Sequence, residues 1–288
     1  MECVSSCFYL LGDVMEKNVK IKPRRMVKIL FLVIIILFLL FLYARYINTS
    51  GLVVKETAII DEAMNEAYNG LKIVQFSDIH YGRTTFQNDM EKLVQSINEL
   101  NPDILIFTGD LFDSDNISDE DIKLMSDYLS ELQARLFKFA VIGDYDQQYI
   151  DTYHLIMNDS GFTILDNTSK LVYDNALEPI NFVGLTSTSD IQSLYDNDYF
   201  TITIMHQPDM VQDLPNSNIV FAGHSLGGQI KIPFIGGIIK KDGARTYLND
   251  YYKVNDMQLY ISNGIGTENF SFRLFNKPSI TLYRLYNY

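Results

Sequence analysis

The sequence is nearly free of cysteine. Its 288 residues include two, Cys3 and Cys7, and both precede the long apolar run near the N-terminus. Disulfide bonds and thiolate chemistry are therefore excluded from the part of the chain that follows this run. A cysteine-free domain is compatible with the outside of a bacterial cell but does not establish that location. The sequence also has no internal repeat and no low-complexity tract.

Positive charge is scarce as well. The chain has 23 Lys and Arg against 36 Asp and Glu, which gives a formal net charge of −13 at pH 7. Because an acidic surface repels the phosphates of nucleic acids, we expect no nucleic-acid partner. Such a surface also stays off anionic lipid unless something anchors it. Hydrophobic residues make up 47% of the chain, which is ample for one large domain or two small ones.

One long apolar run, ILFLVIIILFLLFLYA, occupies residues 29–44. It is slightly shorter than the roughly 20 residues that cross a bilayer, but Lys28 and Arg45 at its ends can extend to the interface. Tyr43 and Tyr46 are suitable interfacial anchors. A buried core helix fits poorly because the run is apolar on all sides. We therefore predict a transmembrane helix at residues 29–45.

Basic residues precede this run and are sparse after it until Lys55. The positive-inside rule predicts a single-pass protein of the cell membrane, with a cytoplasmic N-terminus and an extracytoplasmic domain. The alternative is a cleaved signal peptide, although ARYINTSG after the run matches a cleavage site poorly. Residues 1–28 form a cytoplasmic tail in this interpretation, or an over-extended start if Met26 is the true first residue.

The remaining sequence divides by its hydrophobic pattern. Residues 46–70 are predicted to form a linker with an edge strand at 52–59, and residues 71–288 a single domain. From Leu71 to Asp159, strand and helix patterns alternate, which is typical of a parallel sheet covered by helices. After Gly161, short strand patterns follow closely with few helices between them. This change indicates a second, mixed sheet packed against the first.

Aspartate and histidine residues follow the end of almost every apolar run. The residues concerned are Asp78, His80, Asp110, Asp144, Asp146, His206 and His224. The carboxyl ends of strands border the crevice in which sites form in open α/β sheets, so we expect these side chains to converge. A lone Asp after Gly is usually a turn or a helix cap, but chance accounts poorly for all of these placements. Mixed N/O ligands of this kind favour a divalent transition metal such as Mn, Fe or Zn.

The order of these residues resembles that of the calcineurin-like metallophosphoesterases, which read D-x-H, G-D, G-N-H-D/E, H and G-H-x-H. This chain has Asp78-x-His80, Gly109-Asp110, GDYD at residues 143–146, His206 and Gly223-His224. The flanking stretches IVQFSDIHYG, GHSLGGQIKIPFIGG and NGIGTENFSFRLFNKPSI resemble the membrane-anchored bacterial branch. Members of that branch act on phosphodiesters, including lipid-linked ones. The resemblance covers about residues 71–285.

The resemblance implies an α/β fold, namely a four-layer α-β-β-α sandwich of two mixed sheets preceded by the transmembrane helix. It also implies two metal ions that share a bridging carboxylate and lower the pKa of the attacking water. Carried over by position, the metal ligands are Asp78, His80, Asp110, Asp144, His206 and His224. The catalytic residues carried over are Asp110, Tyr145 and Asp146. The implied activity is hydrolysis of a phosphoester, in particular a phosphodiester of lipid or cell-envelope origin.

Three positions depart from the family pattern. Asp144 replaces an Asn that usually binds the second metal, which keeps an oxygen ligand but adds a charge that repels phosphate. Tyr145 replaces a His that contacts the phosphate or protonates the leaving group, and its pKa near 10 makes it a poorer acid. Leu226 replaces the second His of G-H-x-H, so the first metal keeps three protein ligands, which is a workable catalytic set.

These departures leave two hypotheses: an active hydrolase, or a catalytically impaired relative that serves as a metal- or ligand-binding module with one weakened site. Asp146 is expected either to bond Tyr145 or to cap the following helix. Asp113 and Tyr81 are open as further contributors to the site. The pattern specifies no oligomeric state.

Two further features are interpreted as structural and not as parts of the site. His154 lies within a helical pattern and is interpreted as a packing or surface residue. The aromatic and glycine-rich stretches at residues 234–237 and 270–275 are interpreted as core and turn residues. The alternative is that they form the rim of a site for an amphipathic substrate.

Overall fold

The computed structural model of the protein describes residues 23–113, 117–196 and 198–288. The chain divides after Leu42, and Tyr43–Tyr288 forms one compact unit. Helix α1, Pro23–Leu42, is followed by a π-helical turn at Tyr43–Ile47. The predictions for Cys3, Cys7 and the first 22 residues lie outside the described residues.

Helix α1 is about 30 Å long at 1.5 Å per residue, which matches the hydrocarbon core of a bilayer. The stretch Arg24–Ile47 is the one candidate membrane span among the described residues, and its most apolar window is fully exposed. The helix begins earlier than the predicted segment at 29–45. Proline at the first helical position and the basic residues after it both favour an early start.

Helices and strands alternate through the first half of the compact unit. In chain order the described helices are α2 (Gln87–Leu100), α3 (Asp119–Ser130) and α4 (Ile150–Asp159). The described strands are β1 (Val53–Ile60), β2 (Lys72–Phe76), β3 (Ile104–Phe107), β4 (Phe137–Ala140), β5 (Thr163–Ile164), β6 (Thr168–Val172), β7 (Ile180–Leu185), β8 (Phe200–Met205), β9 (Ile219–Ala222), β10 (Lys231–Ile232), β11 (Gly236–Gly237), β12 (Tyr251–Val254), β13 (Met257–Ile261) and β14 (Ser279–Tyr286).

The strands form two six-stranded mixed sheets and a short hairpin, β10–β11. The first sheet has the order β1-β14-β2-β3-β4-β5 and the second β12-β13-β9-β8-β7-β6. Strands β2 to β5 run parallel, as the alternating pattern predicts, while β14 is antiparallel to β2. Strand β1 lies at the edge and pairs in parallel with β14. The domain boundary at residue 71 stays a prediction.

Two buried cores lie on the opposite faces of the first sheet. In β3, Ile104 and Ile106 face the second sheet, where Phe221 meets them, whereas Leu105 and Phe107 face the helices. Successive side chains of a strand point to opposite faces, so a strand buried on both sides reads as a continuous apolar run. This is why the strands that position the site were visible in the sequence.

Helices α2, α3 and α4 cover the outer face of the first sheet. The apolar face of α2 is buried, with Met90 and Ile97 fully enclosed. Ser118 and Asp121 form an N-terminal capping box on α3. Short 3-10 helices, such as Pro208–Asp213, cover the second sheet. Such turns give no helical period, which is why few helices were expected after Gly161. The α/β fold with two mixed sheets is confirmed.

Three described strands were not predicted. Strands β5 and β11 have two residues each, too few to show an alternating pattern. Strand β12 is exposed at the edge of the second sheet, where Tyr251 and Lys253 point to solvent.

The core between the sheets allows a direct test of the packing. We expect Ile106→Ala to lower the free energy of unfolding by about 2–5 kcal/mol, because the fully buried side chain leaves a cavity between the sheets. Leu155 on α4 is 54% exposed, and Leu155→Ala should change that energy by less than about 0.5 kcal/mol. Denaturant melts of the full chain in detergent measure both values. Equal effects would contradict the assignment of this core.

Candidate metal centre

The predicted site residues lie at the carboxyl ends of parallel strands from both sheets. Asp78 and His80 follow β2, Asp110 follows β3, and Asp144 follows β4. On the second sheet, His206 follows β8 and His224 follows β9. The seven residues predicted to converge are all at this end of the sheets. Six of them are buried, and Asp144 is exposed.

Two groups of potential ligands share one carboxylate, that of Asp110. The first group is Asp78, His80 and Asp110, and the second is Asp110, His206 and His224; within each, the donor atoms lie within 4.8 Å of one another. His80 Nε2 is 3.6 Å and His206 Nε2 is 3.1 Å from Asp110 Oδ2. A carboxylate between two sets of ligands is suited to bridging two cations.

Hydrogen bonds to backbone carbonyls orient the two histidines of the second group. His206 Nδ1 lies 2.6 Å from Thr108 O, and His224 Nε2 lies 2.6 Å from Asp242 O. The remaining nitrogens, His206 Nε2 and His224 Nδ1, face each other at 3.1 Å. A ring nitrogen that donates to a carbonyl leaves the other one free as a metal ligand. Both rings are therefore held with one donor atom turned into the site.

The backbone of the site is strained. Asp78, His80, Asp110 and His224 have φ angles between 45° and 64°. This left-handed region is uncommon for residues with a side chain and costs about 1–3 kcal/mol for each. Hydrogen bonds hold it in place: the Asp78 carboxylate accepts from His224 N at 3.1 Å. The left-handed backbone conformation directs the side chains of these four residues into the same site.

Asp146 supports the site through hydrogen bonds to the backbone of the surrounding loops. Its carboxylate oxygens accept from the backbone N–H groups of Asp110, Leu111 and Gly143 at 2.8–2.9 Å. These contacts correct the expectation that it bonds Tyr145 or caps the following helix. Burial, and then the charge of Asp110, raises the Asp146 pKa to about 6 despite these bonds. Asp146 thereby fixes the loop that carries Asp110.

The three departures from the family pattern have distinct surroundings. The Asp144 side chain is 45% exposed, accepts from Gln207 Nε2 at 2.8 Å and lies 3.3 Å from His224 Nδ1. The Tyr145 ring packs edge-on against His80 with centroids 5.0 Å apart, and burial raises its pKa. Leu226 is buried against Gly264, beside Asp78. Gly264 itself has φ +67°, and a Cβ there would clash with Leu226.

Of the two residues left open by the sequence, Asp113 reaches the site. Asp113 Oδ1 lies 3.5 Å from His80 Nδ1, and its other oxygen pairs with Arg83. Tyr81 instead packs its ring against Phe112. His154 lies on α4 beside Tyr153 and belongs to neither ligand group.

The charges of the site are strongly coupled. Burial would lower the pKa of His206, but the Asp110 carboxylate outweighs it and raises that pKa to about 10. Burial and the nearby charges of Lys241 and His206 lower the pKa of His224 to about 2. Burial also raises the pKa of Asp78. These surroundings therefore favour the protonated form of His206 and the neutral form of His224.

The donor set fits divalent metal ions. Asp78 and Asp110 are fully buried, and buried carboxylates are costly without a compensating cation. Both ring nitrogens of His80 are buried without a hydrogen-bond partner among the described residues. Carboxylate oxygens together with imidazole nitrogens suit Mn, Fe or Zn.

Comparison with known proteins agrees with this geometry. The family model described as calcineurin-like phosphoesterase matches residues 71–262, which is more than half of the chain. The chain therefore belongs to the calcineurin-like phosphoesterase family and is a metallophosphoesterase, a hydrolase that uses divalent metals.

Several relatives share most of the chain. The metallophosphoesterase YkuE of Bacillus subtilis is 29% identical over 84% of this chain and 88% of its own. The UDP-2,3-diacylglucosamine pyrophosphatase LpxG of Chlamydia trachomatis is 26% identical over 69% of this chain and 78% of its own. A transmembrane protein with a metallophosphoesterase domain from Danio rerio is 24% identical over 76% of this chain and 54% of its own. With α1, these relatives indicate a membrane protein.

The contacts of Asp146 allow a test of how the site is held. We expect Asp146→Asn to weaken Mn²⁺ binding by about 10–100-fold, because the amide cannot accept from all three backbone N–H groups that fix the Asp110 loop. Asp151→Asn, an exposed change on α4, is the matched control and should leave binding unchanged. Titration calorimetry of the full chain in detergent measures both. Unaltered affinity in Asp146→Asn would contradict the supporting role.

Proposed function

We propose that the protein is a membrane-anchored hydrolase of disubstituted phosphates, either phosphodiesters or pyrophosphates, in amphipathic molecules of lipid or cell-envelope origin. The observation that carries the proposal is the pair of buried ligand groups sharing Asp110. The LpxG relatives, which are named for a diacylated sugar-nucleotide substrate, support the choice of substrate class. Helix α1 supports attachment to a membrane. The basic residues before it favour a domain on the outer side, by the positive-inside rule.

Six residues would hold the metal ions in this proposal. Asp78 and His80 would hold the first ion and His206 and His224 the second, with the Asp110 carboxylate available to both and Asp144 beside His224 as an additional oxygen donor. Bound metal ions would lower the pKa of a water molecule and neutralise the charge that develops on the phosphate. Asp113 lies beside the His80 ring, and Asp146 holds the loop of Asp110.

In this proposal Tyr145 contacts the substrate. Its backbone N donates to Asp110 Oδ1 at 2.9 Å, which fixes its position against the bridging carboxylate. Burial raises its pKa further above 10, so the hydroxyl stays protonated at neutral pH and serves as a hydrogen-bond donor. It transfers a proton less readily than a histidine would. The proposed enzyme therefore favours substrates whose leaving group needs little protonation.

An impaired site is the second candidate. It is favoured by one observation: Leu226 is buried next to Asp78, where an additional ligand of the first metal would stand. In this alternative the second ligand group alone is occupied, and the protein binds a metal or ligand without rapid turnover.

The direct test is hydrolysis of bis(4-nitrophenyl) phosphate by the full chain in detergent with added Mn²⁺. We expect activity that is removed by a chelator and restored by Mn²⁺. Asp110→Asn should lower it by more than about 100-fold, since changes that only reorient ligands already cost 10–100-fold. Asp151→Asn should retain it. Turnover that is equal in Asp110→Asn and the unaltered chain would overturn the proposal.

A rescue experiment separates the two candidates. The double variant Tyr145→His with Leu226→His restores the acid and the ligand that the family pattern contains. If the native site is active but slow, we expect about 10²–10⁴-fold faster turnover of substrates with poor leaving groups and little change for nitrophenol esters. Large gains with both classes of substrate, starting from no native activity, would favour the impaired site.

A further inference from the structure

Large apolar side chains are exposed on two neighbouring segments near the site. On the β10–β11 hairpin, Phe234 and Ile235 are 109% and 73% exposed. On the second segment, Phe270 and Phe275 are 55% and 54% exposed. The sequence-based interpretation of these residues as core is therefore wrong for their side chains. We call residues 232–238 and 270–275 the apolar rim.

The two parts of the apolar rim are joined by hydrogen bonds. Lys231 N donates to Leu274 O at 2.9 Å, and Leu274 N donates to Gln229 O at 3.2 Å. Gln229 Nε2 donates to Phe270 O at 2.7 Å. These bonds hold both segments side by side, so their exposed side chains belong to one surface. Exposed apolar side chains on adjoining segments are a feature of interaction sites.

The apolar rim lies where the compact unit begins. Arg273 N donates to Ala44 O at 3.0 Å, and the rings of Tyr43 and Phe275 are 6.4 Å apart. The next residues, Tyr46 and Ile47, are 64% and 57% exposed. Tyr43 follows the last residue of α1 directly in the chain. The rim is therefore continuous with the point at which the chain leaves its apolar helix.

The same segments begin and end at the metal centre. The chain leaves the site at His224, forms the hairpin, and returns at Asp242, whose carbonyl holds His224 Nε2 at 2.6 Å. The second segment starts next to Glu268, which pairs with Lys241. The segment from His224 to Asp242 thus connects the exposed apolar hairpin with the metal-ligand residues.

The charge of these segments differs from that of the rest of the protein. Residues 229–242 and 268–277 contain five basic and two acidic residues, whereas the chain as a whole carries −13. Lys231 and Lys241 pair with acidic residues and Arg273 is buried, which leaves Lys240 and Lys277 as the exposed basic residues. Lysine side chains can place their charge among phosphates while their stems cover apolar surface. Exposed aromatic residues with flanking lysines are typical of the boundary between headgroups and acyl chains.

We propose that the apolar rim inserts into the surface of the lipid bilayer that α1 enters. Phe234, Ile235, Phe270 and Phe275 lie at the acyl boundary, and Lys240 and Lys277 lie among the headgroups. The metal centre then opens at the lipid surface, so an amphipathic substrate presents its phosphate without leaving the bilayer. The proposed insertion does not depend on the proposed function, whereas this route for the substrate rests on it.

The chain contains no tryptophan, so a single introduced tryptophan reports its own surroundings. The full chain is placed in nanodiscs whose lipids have brominated acyl chains, which quench nearby indoles. Phe234→Trp and, separately, Phe270→Trp should lose more than about half of their emission and shift to the blue. Leu177→Trp is the matched control, because Leu177 is 98% exposed in the β6–β7 connection, at the opposite end of the second sheet from the site. It should not be quenched.

Unquenched, red-shifted emission from both rim tryptophans would overturn the proposal, as would quenching equal to that of Leu177→Trp. If the rim tryptophans are not quenched and two copies cross-link through the rim, the surface is assigned to contact with a second copy instead.

The double variant Phe234→Asp with Ile235→Asp tests the route of the substrate. It should slow hydrolysis of a nanodisc-embedded phosphodiester at least about 10-fold but not that of soluble bis(4-nitrophenyl) phosphate. Absence of hydrolysis with either substrate would reject the proposed function and leave the fluorescence result intact.

Discussion

The structure of this metallophosphoesterase depends most on one buried carboxylate, that of Asp110. It is fully enclosed at the end of β3 and lies within reach of His80 on one side and His206 on the other. A carboxylate at this depth is stable only with cations around it. The strained turns after β2, β3 and β9, and the backbone bonds of Asp146, all bring partners to this group.

Much of this arrangement could be predicted from the sequence because the strands beside the site are buried on both faces. Their unbroken apolar runs mark where each strand ends, and the ligands follow within a few residues. Asp78, His80 and Asp110 were recognisable for this reason, as were His206 and His224. The parallel order of β2, β3 and β4 then fixes these ends at one edge of the sheet.

The contacts that orient the ligands could not be predicted, because most of them involve backbone atoms. The carbonyls of Thr108 and Asp242 hold the two imidazoles, and any residue type supplies a carbonyl. Asp146 was noticed as an acid, but its acceptance of three backbone N–H groups depends on how the loops meet. The exposure of Phe234 stayed undecided between core and rim for a related reason: a short apolar stretch has the same composition in a core and at a membrane surface.

We propose that Asp110 joins two metal sites in one centre. Electron paramagnetic resonance of the full chain titrated with Mn²⁺ tests this arrangement directly. We expect two Mn²⁺ per chain with a spin-coupled spectrum, and loss of the coupling in Asp110→Asn. A single, uncoupled Mn²⁺ at saturation in the unaltered chain would contradict it.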